Sequence, residues 1–173
     1  MDIKESIRSI TDWPEKGVIF RDLTTLMKDP EAYVKTCDIL IERYKDKKID
    51  KVVGIDARGF VFGAVIAYKL NIGFVPIRKK GKLPCDTISE SYSLEYGKNV
   101  VEIHRDAIKE GEKILIIDDL LATGGTMEAC VKMVKKLGGD ILECGFVVEL
   151  PDLKGREKLG GVDVFAMVEF EGE

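Results

Sequence analysis

Asp118 and Asp119 stand side by side directly after a continuous apolar run, residues 114–117, and the chain soon reads Ala122, Thr123, Gly124, Gly125, Thr126. Two adjacent carboxylates can accept hydrogen bonds from neighbouring hydroxyls or help to hold a divalent cation. The two glycines let consecutive backbone N–H groups turn into one concavity, and the helix expected to start there adds partial positive charge. The Thr123 and Thr126 hydroxyls supply further donors, so a phosphate monoester fits this loop without a lysine in it. On its own, an acid pair would merely end a strand and Thr126 would merely cap a helix. At this spacing the two features suit one ligand that carries both hydroxyls and a phosphate. The loop lacks the Gly-Lys-Ser/Thr ending of a P-loop and the Gly-x-Gly-x-x-Gly of a dinucleotide site.

Two further groups of polar residues follow strand-like runs in the same way. Arg58 sits in Asp56, Ala57, Arg58, Gly59, Phe60 after an apolar stretch at 51–55, and Arg78, Lys79, Lys80 and Lys82 follow another at 73–77. A cluster of cations is usually a solvated loop. At the carboxyl end of a buried strand, guanidinium and ammonium groups instead suit phosphate oxygens.

The elements that must position these groups can be read from periodicity. The continuous, mostly β-branched run 114–117 describes a strand buried on both faces, further core strands are expected at 51–55, 73–77 and 142–150, and a last strand at 162–168. Between them lie helical patterns. One is opened by Asp29 and Pro30 with Tyr33, Cys37, Leu40, Ile41 and Tyr44 inward; one runs through Leu70; one carries Cys130, Met133, Val134 and Leu137 and ends at Gly138 and Gly139. A short helix is expected at 3–11. Residues 83–105 alternate as a hairpin does, with Gly97, Lys98 and Asn99 as the expected turn. This order predicts an α/β fold with a mostly parallel sheet of about five strands flanked by helices, whose carboxyl edge gathers the acids, cradle and cations.

At 173 residues one domain is the natural expectation, able to bury ~70% of its unfolded surface. Hydrophobic residues at 45%, charged residues at 34% and a net charge of −4 leave no general positive field to attract nucleic acid or a membrane surface. No apolar run approaches the ~18 residues of a membrane span. The four cysteines, 37, 85, 130 and 144, show no C-x-x-C spacing, and buried thiols in a reducing cytoplasm follow for Cys37, Cys130 and Cys144. The single histidine, His104, excludes a histidine-built zinc site or a serine triad and reads as a surface strand residue.

The run 113–126, with its two acids and its small-residue loop, resembles the phosphoribosyl pyrophosphate (PRPP) motif of the type I phosphoribosyltransferases. Residues 12–159 resemble, nearly throughout, the adenine branch of that family. What the resemblance implies is a reaction of adenine with PRPP to give AMP and pyrophosphate, with Mg2+ held mainly by PRPP and water and Asp118 as a further ligand. It implies that Phe20 stacks on the base while the backbone of Ile19 and Arg21 bonds its edge. Arg58, Arg78, Lys79 and Lys82 would meet the pyrophosphate, residues 122–126 the 5-phosphate, and Asp118 and Asp119 the ribose. Residues 1–28 would form a hood, and residues 83–105, with Tyr92, Glu95 and Tyr96, a flexible lid. Glu95 would be the general acid/base, a role no local pattern marks among the chain's 31 acids. A cis non-proline peptide near Arg78 and Lys79 and a cytoplasmic homodimer are likewise implied. An oxopurine enzyme sharing the ribose-phosphate site and a non-enzymatic PRPP-sensing regulator are the two alternatives. The regulator would need a DNA-binding module and a basic face.

Overall fold

Nine strands and four α-helices make up the fold in the computed structural model, which describes residues 2–94 and 97–172. Seven strands form one sheet in the order β5-β6-β4-β3-β7-β8-β9, where β3 is Lys51–Ile55, β4 Gly73–Lys79, β5 Thr87–Leu94, β6 Gly97–His104, β7 Lys113–Leu121, β8 Asp140–Glu149 and β9 Val164–Glu169. β4, β3, β7, β8 and β9 run parallel, which are the five core strands expected. β6 joins β4 antiparallel and extends the sheet with the β5–β6 hairpin.

Burial on both faces explains the apolar runs. Along β7, Ile114 and Ile116 pack with Cys130, Met133 and Val134 of α4 (Gly125–Lys136). Leu115 and Ile117 pack on the other face with Leu40 and Tyr44 of α2 (Pro30–Tyr44) and Phe62 and Ile66 of α3 (Arg58–Leu70). α2 starts where Asp29 accepts the Ala32 N–H at 2.9 Å with Pro30 in the first turn. α4 ends where the Gly138 N–H bonds Lys135 and the Gly139 N–H bonds Val134.

Several expectations change in detail. Residues 3–11 do not form one helix: a 3-10 turn, Lys4–Ser6, leads into β1, Arg8–Thr11. β1 pairs antiparallel with β2, Ile19–Asp22, so the amphipathic pattern serves a two-stranded hairpin, followed by a short α1, Thr24–Lys28. Gly97, Lys98 and Asn99 are not the turn, because they pair in β6 with Leu94, Ser93 and Tyr92. Among the described residues the cis peptides are Trp13–Pro14 and Asp56–Ala57, not near Arg78 and Lys79. Those two residues continue β4 and pair with Glu102 and Val101. Residues 151–159 form two 3-10 turns, Pro151–Leu153 and Gly155–Leu159.

Candidate active site

The acid pair lies within β7 rather than after it. β3 last pairs with β7 at Gly54↔Ile117, whereas β8 accompanies β7 to Leu121↔Glu149. Beyond Ile117 one edge of β7 is therefore open, and Asp118 and Asp119 occupy the crevice left where β3 stops. Asp119 is 3% exposed, and its Oδ2 lies 2.7 Å from Arg58 Nε. The N–H is not aimed at that oxygen, so the contact is ionic and Asp119 Oδ2 is a buried atom without a hydrogen bond. Asp118 Oδ1 accepts the Asp119 N–H at 2.9 Å. Gly59 makes this arrangement possible: a Cβ there would stand 2.7 Å from Ile117 O and 3.0 Å from Asp118 Oδ1.

Burial raises the pKa of both carboxyls, for Asp118 well above the carboxylate range. For Asp118 the neighbouring Asp119 charge adds to the effect, while Arg58 opposes it for both. Asp118 nevertheless keeps a partly accessible surface, so water or a ligand reaches it. An acid pair held this way is relieved by whatever brings hydrogen-bond donors or positive charge to it.

The cradle is where the sequence places it. A cavity of about 90 Å3 is lined by Asp118, Phe146 and residues 120–127. Gly124 has φ +82°, and a Cβ on it would come within 2.5 Å of Gly155 O, so both the turn and the packing require glycine there. Gly155 belongs to a segment that sequence reasoning gave no site role. α4 begins at Gly125, and the N–H groups of its first turn have no acceptor within the helix and face the cradle end of its dipole. Thr123 is exposed and Thr126 half-buried beside them.

The cations converge from two sides, held by carboxylates. Arg58 opens α3 against Asp119. Arg78 Nε donates to Asp56 Oδ2 at 3.1 Å. Lys79, Lys80 and Lys82 are exposed on a turn closed by the Lys82 N–H to Lys79 O. Buried Glu102 of β6 supports that turn by accepting the Gly81 N–H at 3.0 Å. Asp56 and Glu102 were not singled out from the sequence. Their only signal was position, at a strand end and in an alternating strand.

The hairpin β5–β6 reaches the cradle. A Cβ on Gly125 would stand 3.7 Å from the Tyr92 ring and from Ser93 O, so β5 lies against the first turn of α4. Glu95 and Tyr96 lie outside the described residues. In the N-terminal hairpin, Ile19 and Phe20 of β2 are half-buried and Arg21 is buried. The Arg21 guanidinium covers the Phe170 ring at 4.3 Å and donates from Nη1 to Ser9 at 2.7 Å. The Arg21 side chain thus ties the hairpin to the C-terminal segment. Asp22 holds the next turn through the Thr24 N–H and hydroxyl and pairs with Arg8; these contacts, Thr24 first, lower its carboxyl pKa to about 2.

Cys37, Cys130 and Cys144 are buried, as expected, and Cys85 is exposed. Burial pushes the Cys144 thiol up to about 12. His104 is half-buried at the end of β6, with Nε2 2.8 Å from Pro84 O. A concavity of about 1140 Å3 along the outer face of α2 lies away from the acids and cradle and is lined mainly by α2 itself.

With this geometry in view, the model of the phosphoribosyl transferase domain matches residues 24–171. The chain belongs to the phosphoribosyltransferase family. Its relatives include an adenine phosphoribosyltransferase of Desulfosudis oleivorans, 57% identical over the full length of both chains. One from Clostridium novyi is 53% identical over 99% of each. Among solved structures, the adenine phosphoribosyltransferase of Thermoanaerobacter pseudethanolicus superimposes with a TM-score of 0.92 at 47% identity, covering 97% of this chain and 98% of that one. The Saccharomyces cerevisiae enzyme, solved with an imino-altritol bisphosphate and adenine, gives 0.90 at 38% identity, covering 96% of both. The acid pair and glycine loop thus stand on the sheet of a phosphoribosyltransferase domain.

Proposed function

We propose that this phosphoribosyltransferase joins adenine to PRPP, releasing pyrophosphate and forming AMP for purine salvage. The observation that carries the reading is the buried acid pair, one oxygen of which lacks a hydrogen bond, in the same crevice as the Gly124 cradle. The adenine relatives described above support the choice of base.

The mechanism follows from where charge develops. As the bond between ribose C1 and the pyrophosphate oxygen breaks, the sugar becomes cationic and the leaving group gains negative charge. Arg58, Arg78 and the exposed Lys79 and Lys82 neutralise that leaving group from the ends of β3 and β4. Asp118 and Asp119 accept the ribose hydroxyls, and the 122–126 loop holds the 5-phosphate, so C1 is fixed between base and leaving group. Phe20 lies against the base while the Ile19 and Arg21 backbone reads its edge. Glu95 takes the proton released as the ring nitrogen attacks, and Tyr92 and Tyr96 share its lid role. The unbonded Asp119 oxygen suits a hydroxyl or a metal-bound water, and no group of three metal-binding side chains occurs among the described residues. Mg2+, bound through PRPP and water with Asp118 nearby, would add positive charge at the pyrophosphate.

On this reading residues 1–173 work as one domain, with a hood from 1–28 and a lid from 83–105, as a homodimer in the cytoplasm. Among the described residues no helix is long and apolar enough to cross a membrane. Ultraviolet assay of adenine, hypoxanthine, guanine and xanthine, each with PRPP and Mg2+, tests the assignment. AMP formation from adenine with at least tenfold preference is expected. A larger kcat/KM for an oxopurine overturns it, and inertness with every base leaves PRPP sensing in its place.

A further inference from the structure

Trp13 is the chain's only tryptophan, and it is 51% exposed. Its loop does not explain that exposure as slack, because the segment is tied to itself. The Trp13 N–H bonds Val18 O at 3.2 Å, the Val18 N–H bonds Glu15 O at 3.2 Å, and the Gly17 N–H bonds Asp12 Oδ1 at 2.8 Å. The turn thus presents a large ring at a fixed place, with Val18, also exposed, beside it. There the Trp13 ring meets Phe20 with centroids 4.5 Å apart and planes at 69°. An edge-to-face contact of this kind fixes the orientation of the smaller ring without covering both of its faces.

We propose that Trp13 is a positioning residue for base binding, which holds the Phe20 ring at the angle that lets it lie against the purine and forms the outer rim of the base site. The inference rests on the reading that Phe20 contacts the base. Phe20 is half-buried and has its backbone pinned by pairing with Ile10, so its ring is the freedom left to restrain, and Trp13 is the aromatic partner that restrains it. A planar, largely apolar ligand entering beside Phe20 must pass or touch the Trp13 edge. A sugar phosphate in the Gly124 cradle need not.

The sole indole makes the proposal directly readable. Titrating the full-length protein with AMP should change tryptophan emission to saturation, whereas ribose 5-phosphate at saturating concentration should leave it unchanged. In steady state, Trp13→Leu should raise the KM for adenine ~3–10-fold, the size of a lost aromatic pair, and change the KM for PRPP by less than twofold. Trp13→Phe should recover most of that loss. Phe20→Ala separates the two layers of the reading. If it raises the adenine KM and Trp13→Leu does not, or if AMP leaves the emission unchanged, the role of Trp13 is overturned while the base site stands. If Phe20→Ala leaves the adenine KM unchanged, both fall.

Discussion

Asp118→Asn should make the free protein more stable while impairing it as an enzyme. The Asp118 carboxyl is held in a folded environment that raises its pKa, first by burial and then by Asp119 beside it. Asp119 is the next residue, and its charge adds to that rise because the two carboxyls lie close together in one crevice. Two like charges ~4–6 Å apart at an effective dielectric constant of ~20 repel by ~3–4 kcal/mol. Arg58, 2.7 Å from Asp119, and the partial accessibility of Asp118 reduce the net penalty to ~1–2 kcal/mol. Asparagine keeps the oxygen that accepts the Asp119 N–H at 2.9 Å, so the substitution removes charge without removing the bond. In a chain of this size that is a rise of ~2–8 °C in Tm. The sign with pH follows from the raised folded pKa. The wild type carries the full penalty when Asp118 is ionised at neutral pH, and sheds it as pH falls through the folded pKa towards the ordinary value near 3.8. Thermal melts of both proteins at pH 7.5, 6, 5 and 4 should show a gap widest at neutral pH and closing with acid. An Asn variant that is less stable at pH 7.5, or a gap independent of pH, would refute the claim that the site stores unfavourable charge.

Gly124→Ala should destabilise the cradle by ~2 kcal/mol or more, because φ is +82° and the added Cβ would lie 2.5 Å from Gly155 O; calorimetry should show ribose 5-phosphate binding weakened at least tenfold. Glu95→Ala should lower kcat by ~10²-fold with little change in the KM for PRPP if Glu95 transfers a proton, which steady-state kinetics on adenine will show. Asp22, with its carboxyl lowered to about 2 by Thr24 and Arg8, contributes stability that is complete above about pH 4. That contribution is lost as pH falls towards 2, so acid unfolding followed by circular dichroism should start from a lower stability, but fall less steeply in that window, in Asp22→Asn.

The parallel core was legible because strands buried on both faces need continuous apolar runs, and 51–55, 73–77 and 114–117 are such runs. The cradle was legible because Gly124 and Gly125 are the residues its backbone requires. The acids were expected just after their strand, which was read as stopping at Ile117, since hydrophobicity ends there while pairing with β8 continues to Leu121. The N-terminal β1–β2 hairpin was missed because Ile3, Ile7 and Ile10 have helical spacing, and the contact that decides the matter, Ile10↔Phe20, is not local. Asp56, Glu102 and Gly155 act through partners distant in sequence, so no window around any of them marks it out. The proposed base contact is less visible still, since Phe20 differs from a core anchor only by what lies beside it.

The central claim is that the acid pair at the open edge of β7 holds the reacting sugar. AMP formation from adenine and PRPP by Asp119→Asn, measured beside its circular dichroism spectrum, tests this most directly. A fall in turnover of ~10²-fold or more with an unchanged spectrum is the expected result; wild-type turnover in a folded Asp119→Asn would contradict it.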